Sequence, residues 1–168
     1  SFKDSLRWSV QSGRQGDLNS IFLAALHYDL GLGINRDHQR AIKLYNDASI
    51  KGYPGINCLI YGNKQKDKTP PSKMGVDDYI KYSAERGSDR FQCLMASYYD
   101  KGTQGIRKNT QEAFELMKKS AKQGHPEAQV YLSEALMSRA ENPRERKEAN
   151  EWLEKALLQK YPKAYTLK

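Results

Sequence analysis

Residues Tyr28 to Asp37 read YDLGLGINRD, and the meaning of the paired glycines decides what kind of molecule this is. A glycine loop that cradles phosphate follows a buried strand and opens a helix, so that free backbone N–H groups converge on the anion. The preceding residues, SIFLAALHYD, have no β-branched run and no turn signal and read instead as helix. The Lys and Ser/Thr of a nucleotide loop are absent, as is the third glycine of a dinucleotide fingerprint. The stretch also recurs: Tyr99 to Asn109 read YDKGTQGIRKN, with one residue inserted between the glycines and Ile106 standing where Ile34 stood. A loop that returns with its flanks intact is a structural joint.

The repeat extends outward from these joints. Gly16, Gly52, Gly87 and Gly124 end successive amphipathic segments at intervals of 36, 35 and 37 residues, and Lys160 holds the fifth position. Eight residues before each stands a large side chain: Trp8, Leu44, Tyr79, Leu116 and Trp152. Each period reads as two helices. The first carries one buried stripe at i, i+4 and i+8, as in Ser20, Ala24, Tyr28 and in Phe91, Met95, Tyr99. The second opens on Asp37, Asn109 or Asn142, all good N-caps, and closes on glycine in the first three full periods. Helix pairs that cannot bury both faces alone stack into an open superhelix.

These residues resemble the Sel-one-like repeat family, a branch of the tetratricopeptide-type solenoids. Ser20, Ala24, Ala25, Tyr28, Gly31, Gly33, Ile34, Asp37, Arg40, Ala41, Leu44, Ala48 and Gly52 follow the family pattern in order, and the period from Phe91 to Gly124 follows it again. The expectation is an all-α, right-handed α/α solenoid of about four helix-turn-helix repeats plus an extra N-terminal helix, forming one domain over residues 1–168. Its repeats are expected at 17–52, 53–87, 88–124 and 125–160, with a half-repeat at 1–16. Two repeats depart from the pattern. The second passes through NKQKDKTPPSKMG, where Pro70-Pro71 forbids helix, and the fourth passes through SRAENPRER.

Charge and chemistry narrow the function. The net charge of +8 comes from lysines and arginines interleaved with acids rather than from one Arg-rich or aromatic-laced element, which favours an acidic protein surface over nucleic acid. No apolar run approaches a membrane span. The start at Ser1, with no charged leader, suggests that a signal or anchor has been removed, so any membrane association would be through that segment. His27, His38 and His125 lie on different elements without metal-ligand spacing, and no catalytic motif is present. The sequence therefore predicts no enzyme activity, no cofactor, no metal and no small-molecule substrate.

Cys58 and Cys93 occupy the same position on the first helices of adjacent repeats. Packed helices lie ~8–10 Å apart, beyond the ~4.4–6.8 Å that a disulfide spans, so two free buried thiols and no disulfide are expected.

Candidate partner-binding residues come from helix angles and from the irregular loop. Leu23, Leu59, Leu94 and Tyr131 form an apolar ladder about 60° from the buried stripe, towards the concave wall of such a coil. Leu26 and Arg90 lie beside it. The loop from Asn63 to Gly75 adds Lys64, Lys66, Lys68 and Lys73. The resemblance implies protein–protein recognition: an exported, periplasmic bacterial adaptor or assembly scaffold, or alternatively an immunity protein that blocks a secreted effector toxin. A cytoplasmic location is the alternative to export.

Overall fold

The computed structural model describes residues 2–67 and 74–168. Among them the chain forms nine α-helices and no strand: α1 (Phe2–Arg14), α2 (Leu18–Leu30), α3 (His38–Ile50), α4 (Asn57–Ile60), α5 (Val76–Glu85), α6 (Asp89–Lys101), α7 (Thr110–Lys122), α8 (Pro126–Arg139) and α9 (Pro143–Leu158). Short 3₁₀ turns occupy Lys64–Lys66 and Pro162–Leu167. The long helices pack in sequence from α1 through α3 and again from α5 through α9, and the short α4 joins the two runs by packing on α3 and α6, which is the one-dimensional stacking of a solenoid.

The helix boundaries follow from capping chemistry. Asp37, Asn109 and Asn142 each accept a hydrogen bond from the backbone N–H three residues on, satisfying a donor that a helix start leaves orphaned. The two joints share one geometry. Gly31 and Gly102 end α2 and α6 in the left-handed region, at φ 71° and 66°, where a Cβ is disfavoured. The chain then returns so that Asp37 N–H donates to Tyr28 O at 2.9 Å, and Asn109 N–H to Tyr99 O at 2.8 Å. Gln104, the residue inserted in the second joint, absorbs the extra length at φ 58°.

Small side chains let the helices approach. Ala24, Ala48, Ala96, Ala113, Ala121, Ala149 and Ala156 are each 1% exposed or less. One continuous core runs from Ile21 to Leu132, and a smaller cluster of Val130, Leu153, Ala156, Tyr161 and Ala164 closes the C-terminal end. The glycine at the end of each second helix is left-handed, and Lys160, which holds the fifth of these positions, adopts φ 56°.

The second period is built differently. Its first helix is the single turn α4, entered through Pro54-Gly55 and left through Gly62. A turn this short satisfies little of its own backbone, and the neighbouring repeats supply what is missing.

Candidate interaction faces and the buried charge cluster

Arg90, at the start of α6, is wholly buried. Its Nε and Nη2 donate to Leu59 O at 3.1 and 2.7 Å, capping one carbonyl of α4. Nη2 also pairs with Asp29 Oδ2, and Nη1 with Asp67 Oδ2. Asp29 further accepts from Tyr45 OH at 3.0 Å and from His38 Nδ1 at 2.9 Å, and Asp67 accepts from Ser88 Oγ at 2.6 Å. One guanidinium thus ties α2, the 3₁₀ turn and α6 together around the broken helix. Its five fixed donors suit this task, which a Lys ammonium could not perform.

The carboxylates feel this placement differently. Burial acts to raise Asp29, but the Arg90 charge and the hydrogen bonds from Arg90 and Tyr45 hold it below the usual range. Burial wins at Asp67, which has fewer donors and is raised. Arg90 is disfavoured by burial, yet the surrounding anions raise it and keep it charged.

Two further contacts complete the support of α4. His125 donates through Nε2 to Cys58 O at 2.9 Å, and Asn63 N–H donates to the Asp89 carboxylate, 3.0 Å from Oδ2. Gly62 makes these approaches possible. Its φ is 95°, and a Cβ there would stand 2.6 Å from His125 Cδ2 and 2.8 Å from Arg90 Cγ.

Cys58 and Cys93 form a disulfide with their Cα atoms 5.5 Å apart, so the expectation of two free thiols is wrong. The physical error lies in equating the spacing of helix axes with the spacing of Cα atoms. Each Cα sits ~2.3 Å from its axis, so facing residues on helices ~8–10 Å apart approach to ~3.4–5.4 Å, a range that overlaps what a disulfide spans.

The sequence-derived candidates separate by burial. Leu59, Leu94 and Arg90 are 0% exposed and Leu26 is 1% exposed, so these four belong to the interior and present nothing to a partner. The half-exposed positions of the ladder are Leu23 and Tyr131. The ladder reads as apolar in every repeat, but its central rungs are covered where α4 and α6 lie against each other. Lys64 is half-buried, and burial lowers its pKa despite the nearby Asp29. Lys68 and Lys73 lie outside the described residues, as does the side chain of Lys66.

Tyr131 borders a cavity of about 390 Å³ whose walls come from the turn before α4, from α6, and from α8 with the C-terminal 3₁₀ turn. Its acidic groups are Asp100, which accepts from Tyr131 OH at 2.9 Å, and Glu127 and Glu134, each 3.5 Å from Lys163 Nζ. Burial and the neighbouring Asp100 push Tyr131 up to about 12. Among the described residues no group of three or more His, Cys, Asp and Glu side chains is placed to hold a metal. No helix among them is long and apolar enough to cross a membrane.

Sequence could have flagged the buried cluster through one signal. Asp29 and Arg90 stand on first helices among small and apolar neighbours, where an ionisable residue is costly unless paired.

Among solved structures, a protective antigen of uropathogenic Escherichia coli with an SLR fold is 28% identical over 92% of this chain, with a TM-score of 0.45. This chain spans 33% of that antigen's length. A Sel1 repeat protein from Oxalobacter formigenes is 22% identical, covering 96% of this chain and 94% of its own, with a TM-score of 0.49. An immunity protein of Pseudomonas aeruginosa is 17% identical, covering 95% of this chain and 59% of its own, with a TM-score of 0.39. No curated protein matches. The Sel1 repeat model matches residues 19–53, 90–125 and 126–161, leaving the period with the broken helix unmatched. Sel1 repeats mediate protein–protein interaction, and by these matched periods the chain belongs to the Sel1 repeat family.

Proposed function

We propose that this protein is a non-catalytic scaffold or adaptor, exported to an oxidising compartment, that holds a segment of another protein against its first-helix face between Leu23 and Tyr131. The observation that carries this reading is the division of labour among its polar side chains. The Asp29–Arg90–Asp67 cluster and His125 are buried and joined to backbone or to one another, so they serve the scaffold. The half-exposed Leu23 and Tyr131, with the polar cavity beside Tyr131, remain for recognition. The Cys58–Cys93 disulfide supports export, since such bonds persist in oxidising compartments and are rare in the cytosol of mesophiles.

A photo-crosslinking residue placed at Leu23 or at Tyr131, in protein expressed by its native host, tests this reading. One protein should be captured from both positions and not from Lys118 on α7. Capture of nucleic acid, or equal capture from all three positions, would overturn it.

A further inference from the structure

A second surface, apart from the Leu23–Tyr131 face, lies along α1. Between this helix and the first joint runs a groove of about 660 Å³. Its apolar lining is Leu6 and Val10 of α1, facing Tyr28 and Ile34. Lys3, Arg7 and Arg14 stand exposed along its edge. None of the three has an ion-pair partner among the described residues. Arg40, stacked 5.5 Å from the Tyr28 ring centre, is by contrast paired with Asp37.

The solenoid contains its own control. Two periods on, α5 and the second joint form the corresponding groove, with Ile106 in the place of Ile34, but its volume is about 200 Å³. There Asp77 and Asp78 stand where α1 carries Leu6 and Arg7, and Lys81 stands where α1 carries Val10. The floor of this second groove is apolar too, from Ile80, Met95, Tyr98 and Ile106, so what belongs to the first groove rather than to the repeat is its width and its basic edge.

We propose that the α1 groove docks an acidic amphipathic helix of a partner protein. The periodicity of the edge supports a helical occupant. Lys3 and Arg7 are one turn apart on α1, and Arg7 and Arg14 two turns, so they are spaced by ~6 and ~10 Å. These intervals match carboxylates at i, i+4 and i+11 of a helix lying alongside. An apolar stripe on that helix would cover Leu6 and Val10, the usual mode of a helix in a groove. Nucleic acid would match the charge but not the apolar floor. The proposal adds a second contact to the scaffold reading and rests on it only in that the occupant is a protein.

The test uses the full, disulfide-bonded chain and a fluorescent helical peptide with Leu at every third and fourth position and Glu on the flanks. A peptide with Lys in place of Glu is the control. The acidic peptide should bind and the basic one should not. Arg7→Glu with Arg14→Glu should weaken binding by about tenfold or more, with the loss concentrated at low salt, and Leu6→Ser with Val10→Ser should weaken it at all salts. Asp77→Lys with Asp78→Lys should leave it unchanged. Equal binding of the two peptides, or indifference to the Arg7 and Arg14 changes in folded protein, overturns the proposal. So does a result in which those changes abolish only self-association in sedimentation, or only the binding of a single-stranded oligonucleotide. Crosslinking at Leu23 and Tyr131 reads another face, so the scaffold reading stands or falls separately.

Discussion

Replacing Arg90 by Met tests whether the buried cluster holds the broken repeat together. The substitution keeps much of the side-chain length while removing a charge that neutralises two buried carboxylates and caps Leu59 O. Breaking a buried ion pair by deleting one partner costs ~3–5 kcal/mol, a large part of the ~5–15 kcal/mol that stabilises a domain. At ~2–4 °C per kcal/mol for a chain of this length, the melting temperature should fall by ~6–20 °C. The loss should depend on pH. Without the guanidinium, burial raises both Asp29 and Asp67, so the variant recovers part of its deficit as the pH falls and the carboxylates become neutral. Adding Asp29→Asn and Asp67→Asn to the variant should restore ~1–3 kcal/mol, because neutral amides leave no isolated buried charge. Urea unfolding of the parent, the single variant and the triple variant at neutral and mildly acidic pH provides the measurement. A single variant within ~1 kcal/mol of the parent, or a triple variant no better than the single, would refute the argument.

Thiol titration of denatured, unreduced protein should find none of the two cysteines free, and reduction should expose both. Reduction should also cost ~3.5–4 kcal/mol, the loop-closure value for a 35-residue separation. Leu59→Ala and Leu94→Ala should each cost ~2–5 kcal/mol in thermal unfolding, as for fully buried leucines, whereas Leu23→Ala should cost clearly less. His125 is held below the ordinary value of 6.5, first by burial, and its Nδ1 has no partner among the described residues. The unfolded chain therefore binds the proton more readily, so the contribution of this group is complete above about pH 6.5 and declines as the pH falls below it. His125→Asn should flatten the dependence of the urea midpoint on pH between neutral and mildly acidic conditions, and an unchanged slope would exclude that contribution.

The sequence by itself determined the helices, their joints and the order in which they stack. Each of these depends on interactions within a few residues: an i, i+4 stripe, an Asp or Asn cap, a left-handed glycine after Leu30 or Lys101. Lys160 takes the same left-handed conformation at the end of the last period without being glycine, and nothing local explains it. The tertiary structure decided what the second period became. Once Pro54-Gly55 and Gly62 leave α4 a single turn, its carbonyls must find donors elsewhere, and these come from Arg90 and His125, 31 and 67 residues away. That distant pairing turns Arg90 from an apparent surface cation into a buried tie. The close approach of α4 and α6 buries Leu59 and Leu94 and brings Cys58 to Cys93. The α1 groove likewise depends on how far the first joint stands from α1, a distance between elements that no periodicity within either one specifies. Local periodicity fixes which side of a helix is apolar, but the separation of neighbouring helices decides whether that side is core, cavity or open groove.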